Sequence, residues 1–218
     1  MKKEIGFIFD LDGVIVDTAK YHFLAWRNLA DKLGFTFTEE HNELLKGVSR
    51  VRSLEILLDL GKVEISQDQK EEMLVAKNTE YLAYVNKMTA DEILPGVNNL
   101  LNFLDDHDIK FALGSASKNA PLILEKVGLI ERFSAIVDGN DVSKAKPDPE
   151  VFLIGAEKLG LNPVNCVVVE DAIAGVEAAN AAGMVSIGIG NKEVLGHANY
   201  VFGDMTEITS DFLKSLIN

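Results

Sequence analysis

The sequence of 218 residues has a single cysteine, five prolines and one tryptophan. One thiol cannot form an internal disulfide, and Cys166, in the run Cys166-Val167-Val168-Val169, reads as part of a buried strand rather than as a nucleophile. Positive charge is scarce too: 21 lysines and arginines stand against 34 aspartates and glutamates, a formal net charge of −13. So acidic a surface repels nucleic acid and anionic membranes, and neither is expected as a partner. Long hydrophobic runs are missing as well, and no stretch reads as a membrane span. The apolar segment after Lys2 and Lys3 lasts only about five residues before Asp10 interrupts it, too short for a signal peptide. A reducing cytoplasm is therefore the expected compartment. No internal repeat or low-complexity segment occurs.

What remains is an ordinary globular composition, 47% hydrophobic and 25% charged, and a strong rhythm. Strand-length apolar runs occupy Ile5 to Phe9, Lys110 to Gly114, Ala135 to Val137, Cys166 to Val169 and Val185 to Ile189. From residue 109 onward, helical stretches near Ala120–Val127, Pro149–Leu159 and Ala172–Ala182 separate them. This alternation predicts an α/β fold with a doubly wound parallel sheet. Residues 18–88 differ: they are helical in period near Ala19–Leu33, Arg50–Leu60 and Gln67–Val85, with no strand of comparable quality. They read as an inserted α-helical cap domain, leaving residues 1–17 and 89–218 as the α/β core domain. The crossings near Asp17-Thr18 and Thr89–Ile93 would be the hinges.

Four polar clusters follow strands. Asp10-Leu11-Asp12-Gly13 sets two carboxylates just past the first strand, before a glycine that lets the backbone turn sharply. Ligands of open α/β sheets sit at such strand ends, although a solvated acidic turn is an equal alternative for this pair alone. An EF-hand is excluded, because the glycine comes too early in the loop and Tyr21 stands where a bidentate glutamate is needed. Ser115-Ala116-Ser117-Lys118-Asn119 offers hydroxyl and N–H groups suited to phosphoryl oxygens, or simple helix capping by Ser117 or Asn119. It lacks the second glycine of a serine-hydrolase elbow. Lys146 lies in the stiff segment Ala145-Lys146-Pro147-Asp148-Pro149, aimed at a site or simply at solvent. Glu170-Asp171 provides oxygen ligands for a hard cation such as Mg²⁺, or an acidic first helical turn. Gly188-Ile189-Gly190 lacks the third glycine of a dinucleotide fingerprint.

Taken jointly, the strand-end rule brings Asp10, Ser115, Lys146, Glu170 and Asp171 to one edge of one sheet. A carboxylate nucleophile, a metal, a lysine and hydroxyl donors make a phosphoryl-transfer site. Two like charges ~4 Å apart repel by roughly 4 kcal/mol at an effective dielectric near 20. An aspartate can therefore approach a phosphate only where a cation and Lys146 offset that repulsion.

In this order the clusters resemble the haloacid dehalogenase-like (HAD) superfamily of aspartate-nucleophile phosphotransferases, over nearly the whole chain. Asp10-Leu11-Asp12-Gly13-Val14-Ile15 with Asp17-Thr18, Lys46-Gly47-Val48-Ser49-Arg50, Ser115 to Asn119 and Glu170-Asp171 are similar to its β-phosphoglucomutase branch. The resemblance implies that Asp10 is the nucleophile that becomes an aspartyl-phosphate and Asp12 the general acid/base. It implies Mg²⁺ held by Asp10, Glu170, Asp171 and the backbone carbonyl of Asp12. Ser115 and Lys146 would hold the transferring phosphoryl group, with Ala116, Ser117, Lys118 and Asn119 lining the site. In the cap, Lys46, Gly47, Val48, Ser49 and Arg50 would receive a second phosphate, since Lys46, Arg50 and Arg52 form a stretch of three cations without an acid, or would simply begin a helix with solvated charges. His22 and Trp26 share a helix face and would both belong to the substrate site; His22 would partner the Asp12 loop, with Thr18 at the hinge, or would pack as a helix histidine. The implied reaction interconverts β-glucose 1-phosphate and glucose 6-phosphate through glucose 1,6-bisphosphate. The alternative is a phosphatase of the same superfamily acting on a small phosphate ester. The expected partner is a small sugar phosphate and the expected state a monomer. Ala172 departs from relatives that carry a hydroxyl residue after the acidic pair.

Overall fold

The first strand, β1 (Gly6–Phe9), is buried at every residue because it has a parallel neighbour on each side. The structure, a computed structural model, describes residues 4–45 and 48–217. It divides into two compact units, Met1–Asp17 with Thr89–Asn218, and Thr18–Met88.

The second of these is helical. α1 (Ala19–Leu33) ends on Gly34, whose φ of 87° is the left-handed stop that glycine adopts without strain. After the short α2 (Glu39–Glu43), α3 (Arg50–Gly61) starts at Ser49, whose side chain accepts the Arg52 N–H. α4 (Gln67–Val85) starts with a capping box of Ser66 and Gln69. Trp26, Leu29, Ala30, Phe37, Leu54, Leu57 and Leu58 bury their side chains together as the core of this unit.

The larger unit carries the sheet. β2 (Phe111–Gly114), β3 (Ala135–Val137), β4 (Cys166–Glu170), β5 (Val185–Ile189) and β6 (Tyr200–Phe202) join β1 in the order β3-β2-β1-β4-β5-β6, with every pairing parallel. Around it lie α5 (Val97–Asp106), α6 (Ala120–Lys126), α7 (Glu150–Leu159), α8 (Ile173–Ala181), α9 (Lys192–Leu195) and α10 (Ser210–Ile217). This is the doubly wound sheet that the alternating pattern predicts. Phe7, Ile8, Phe9, Val167, Val168 and Val169 are at most 1% exposed, each contributing roughly 1.5–3 kcal/mol of hydrophobic stabilisation. β6 and α10 are not foreseen in the sequence; β6 is a three-residue edge strand that is only half buried, so it lacks the apolar run that marks its neighbours. The strand order turns back between β1 and β4, and that switch point is where an open α/β sheet receives a ligand. Among the described residues no helix is long and apolar enough to cross a membrane.

Candidate active site

Asp10 leaves β1 with its N–H still bonded to Val169 O at 2.9 Å, which places it beside the end of β4. Its Oδ2 accepts the Asp12 N–H at 2.9 Å. The loop then closes on itself, with Gly13 N to Val16 O at 2.8 Å and Gly13 at φ 78°, the left-handed region that favours glycine. A side chain at residue 13 would run into the Asp171 carboxylate, so the glycine also makes room for that acid.

Lys146 reaches the same point from the loop before α7. Its Nζ donates to Asp10 Oδ1 at 2.5 Å and to Glu170 Oε1 at 2.7 Å, and stands 4.8 Å from the centre of the Phe152 ring. The Lys146 side chain is 5% exposed, that of Asp10 11% and that of Glu170 2%. Glu170 uses Oε2 to accept the Ala172 N–H at 2.7 Å. The sequence-derived convergence of Asp10, Lys146 and Glu170 is thus present as direct contacts at the switch point.

The electrostatics of this cluster are lopsided. Burial pushes the Asp10 carboxyl up to about 7, with Glu170 and Asp12 adding repulsion and Lys146 opposing it. Asp171 is pushed up to about 8 by burial and by Glu170, Asp10 and Asp12. Burial alone would lower the Lys146 ammonium, yet Asp10 and Glu170 hold it above its ordinary value. Four acids therefore act on one another around a single ammonium.

That surplus of anionic oxygen fits a hard divalent cation. Among the described residues no three acidic, imidazole or thiol side chains are gathered into a ready-made metal cage. Asp10, Glu170 and Asp171 are the oxygen donors on hand for such a cation.

The serine loop follows β2. Ser115 is buried, its N–H bonded to Val137 O at 3.0 Å, and its hydroxyl accepts the Ser117 N–H at 3.1 Å. Ser117 in turn accepts the Asn119 N–H at 3.3 Å, so both hydroxyls shape the turn into α6. Ala116 and Lys118 are exposed. Gly139 lies so near this loop that a side chain there would meet Ala116 O.

Within the helical unit, Thr18 is buried at the start of α1, and its carbonyl accepts the N–H groups of Tyr21 and His22. His22 stacks on Tyr81 with ring centres 4.2 Å apart and shares a 2.8 Å hydrogen bond through Nδ1 with Lys77 Nζ. The ammonium can only donate, so Nδ1 accepts and the ring proton sits on Nε2. Burial, then Lys77 and Arg50, hold His22 well below the usual histidine range. Trp26 is 2% exposed and packed in the helical core, with the Lys77 ammonium 4.7 Å from its ring centre. Its ring packs there with Leu29, Ala30 and Phe37. Arg50, the first residue of α3, is half buried, and Val48 and Ser49 are exposed. Arg52 pairs with Glu55 at 2.8 Å, three residues further along α3. Lys46 and Gly47 lie outside the described residues.

Lys77 and Phe152 were not singled out from the sequence. A lone lysine on a polar helix and a phenylalanine in an apolar one carry no distinguishing pattern; only packing reveals that each meets a buried ammonium or supplies it.

A sheet-edge aspartate held by a buried lysine, beside further acids at a switch point, defines a phosphoryl-transfer class of α/β protein. The chain belongs to the haloacid dehalogenase-like hydrolase family, whose model matches residues 6–183. It is 42% identical over 208 residues to the β-phosphoglucomutase of Bacillus subtilis, covering 94% of this chain and 92% of that protein. It is 32% identical over 182 residues to a phosphorylated carbohydrates phosphatase of Thermotoga maritima, covering 83% and 82%. The crystal structure of a β-phosphoglucomutase from Clostridium difficile matches with a TM-score of 0.92 at 42% identity, over 99% of this chain and 97% of that one. Enzymes of this family are generally metal-dependent.

Proposed function

We propose that this chain is a Mg²⁺-dependent phosphomutase that interconverts β-D-glucose 1-phosphate and D-glucose 6-phosphate through glucose 1,6-bisphosphate. The observation that carries the chemistry is the Lys146 ammonium between Asp10 and Glu170 at the β1/β4 switch point. The extent of likeness to the Bacillus subtilis mutase supports the substrate.

In the proposed cycle Asp10 already carries the phosphoryl group. The C6 hydroxyl of β-glucose 1-phosphate attacks that phosphorus while Asp12 takes the hydroxyl proton, and the bond from Asp10 oxygen to phosphorus breaks. The bisphosphate then reorients. Asp10 attacks the phosphorus of the 1-phosphate, and Asp12 returns its proton to the departing C1 oxygen, releasing glucose 6-phosphate. Lys146 and Ser115 hold the phosphoryl oxygens, with Ala116, Ser117, Lys118 and Asn119 lining the pocket. Asp10, Glu170, Asp171 and the Asp12 carbonyl would hold Mg²⁺, which supplies positive charge against the phosphate. Arg50 is assigned to the second phosphate, with Lys46, Gly47, Val48 and Ser49 as its surroundings. The helical unit is assigned the exclusion of water, with Thr18 as a hinge, because water hydrolyses an aspartyl-phosphate.

Purified protein given β-glucose 1-phosphate, a trace of the bisphosphate and Mg²⁺ should yield glucose 6-phosphate. Free phosphate as the main product would replace the mutase with a sugar-phosphate phosphatase of the same family. Arg50→Ala should cripple a mutase and matter little to a phosphatase of small esters. Turnover that persists in Asp10→Asn would remove the aspartate nucleophile altogether.

A further inference from the structure

The loop that brings Lys146 to the carboxylates is closed by one side chain. Glu150 Oε2 accepts the N–H of Ser143 at 2.8 Å and of Lys144 at 2.6 Å, while Oε1 accepts the Ser143 hydroxyl at 2.8 Å. These bonds, that of the Lys144 N–H first, hold the Glu150 carboxyl below the ordinary carboxylate range. The turn between them is braced again: Asp148 N–H bonds Ala145 O at 3.0 Å, Glu150 N–H bonds Asp148 Oδ1 at 3.1 Å, and Lys144 Nζ pairs with Asp148 at 3.2 Å.

Lys146 lies inside this clasp. A lysine on its flexible four-carbon stem is a poorly aimed charge unless its backbone is fixed. Here the stem must deliver the ammonium to two buried oxygens at 2.5 and 2.7 Å. α7 fixes both ends of that delivery. Its first residue, Glu150, anchors the loop, and Phe152 lies beneath the ammonium. Glu150 is also bound twice over, to Ser143 and to Lys144, which exceeds what a charge favouring a helix start requires.

We infer that Glu150 is a positioning residue: by tying the Ser143–Lys144 backbone to the start of α7 it holds Lys146 in contact with Asp10 and Glu170. The inference rests on the proposed role of Lys146 in offsetting phosphoryl charge. The Glu150 carboxylate bonds Ser143 and Lys144, not Asp10 or Glu170, so it acts through the loop.

The test compares wild type, Glu150→Gln and Glu150→Ala in two measurements. One is the rate at which acetic anhydride acylates Lys146 in the folded chain, read by peptide mass spectrometry with exposed Lys214 as the internal standard. The other is kcat and KM for glucose 6-phosphate formation with Mg²⁺. Lys146 should be acylated faster in Glu150→Ala than in wild type, with Glu150→Gln between them because the amide oxygen still accepts one N–H. The kcat should fall in the same order, by at least about tenfold for alanine, as small displacements of a charged group cost that much. The KM should hold. Should Glu150→Ala not fold, Ser143→Ala supplies a milder step by deleting only the hydroxyl donor. Equal losses in the glutamine and alanine variants, with Lys146 protection unchanged, would reduce Glu150 to a helix-start charge and overturn the inference. So would unchanged kcat in both. Full turnover in Lys146→Ala would instead sink the role given to Lys146, leaving the acylation rates to judge the clasp separately.

Discussion

A methyl group at Gly175 on α8 would overlap the Glu170 carboxylate. Glu170 accepts from Lys146 at 2.7 Å and from the Ala172 N–H at 2.7 Å, so its carboxylate is fixed against the bare backbone of the helix that follows.

Gly175→Ala should therefore cost both stability and activity. Alanine gains up to about 1 kcal/mol of helix propensity, but its methyl would overlap Glu170 Cγ and Cδ as well as Oε1, and moving that buried side chain breaks its bonds with Lys146 and the Ala172 N–H. The melting temperature should fall. Displacing Glu170 should lower kcat/KM about 100-fold, the scale expected for a misplaced active-site group. A variant as active as wild type would show that the Glu170 position is not demanding.

Lys146→Met keeps the stem and deletes the charge. Both partners are nearly fully buried, so the loss leaves carboxylates uncompensated, a change that costs about 3–5 kcal/mol in buried pairs. Urea unfolding at neutral pH should register it. Turnover should drop about 10²–10³-fold, as when a preorganised electrostatic contact to a transition state is removed.

Removing the metal should expose the anionic surplus. Asp10 and Asp171 are raised to about 7 and about 8, whereas the unfolded chain ionises such groups near pH 4, at about 3.9. Between those values the native state holds protons that the unfolded chain has lost. In chelator, stability should therefore fall as pH rises from about 4 to about 8. With Mg²⁺ the fall should shrink or reverse, because binding takes the deprotonated carboxylates. Melting curves across pH with chelator and with Mg²⁺ check this, and identical slopes in the two series would count against a metal at these acids.

His22 predicts the opposite slope in the helical unit. Its folded value lies well below the ordinary one, through burial, Lys77 and Arg50. The unfolded chain binds a proton below about pH 6.5 while the folded one does not. The contribution is therefore fully present above that pH and is lost on acidification. His22→Gln should flatten the loss between pH 7.5 and pH 5 in urea titrations followed by helical circular dichroism.

The central strands were legible because burial on both faces turns them into unbroken apolar runs, as in Phe7 to Phe9 and Val167 to Val169. β6 carries Tyr200 exposed at an edge, so its pattern dissolves into the surrounding loop. In the site, Asp10, Lys146 and Glu170 could be placed together from strand ends alone, since each follows or precedes a recognisable element. Glu150 could not. Its partners Ser143 and Lys144 precede it across a turn, and nothing in the letters says that the chain folds back upon itself there. Lys77 was hidden for the same reason: a lysine among polar neighbours gives no sign that it is 2% exposed. Tertiary geometry, rather than periodicity, assigns such residues.

The flanking of β1 by β2 and β4 has a kinetic consequence. On a ribosome, Phe9 emerges long before Val169, its partner in register. At synthesis rates of roughly 5–20 residues per second, the first strand waits on the order of ten seconds or more for its second neighbour. Both edges of that run of phenylalanine and isoleucine stay open until Phe111 to Gly114 emerge, and one stays open until Val169 follows, so the nascent chain is exposed to aggregation for as long as its site is incomplete.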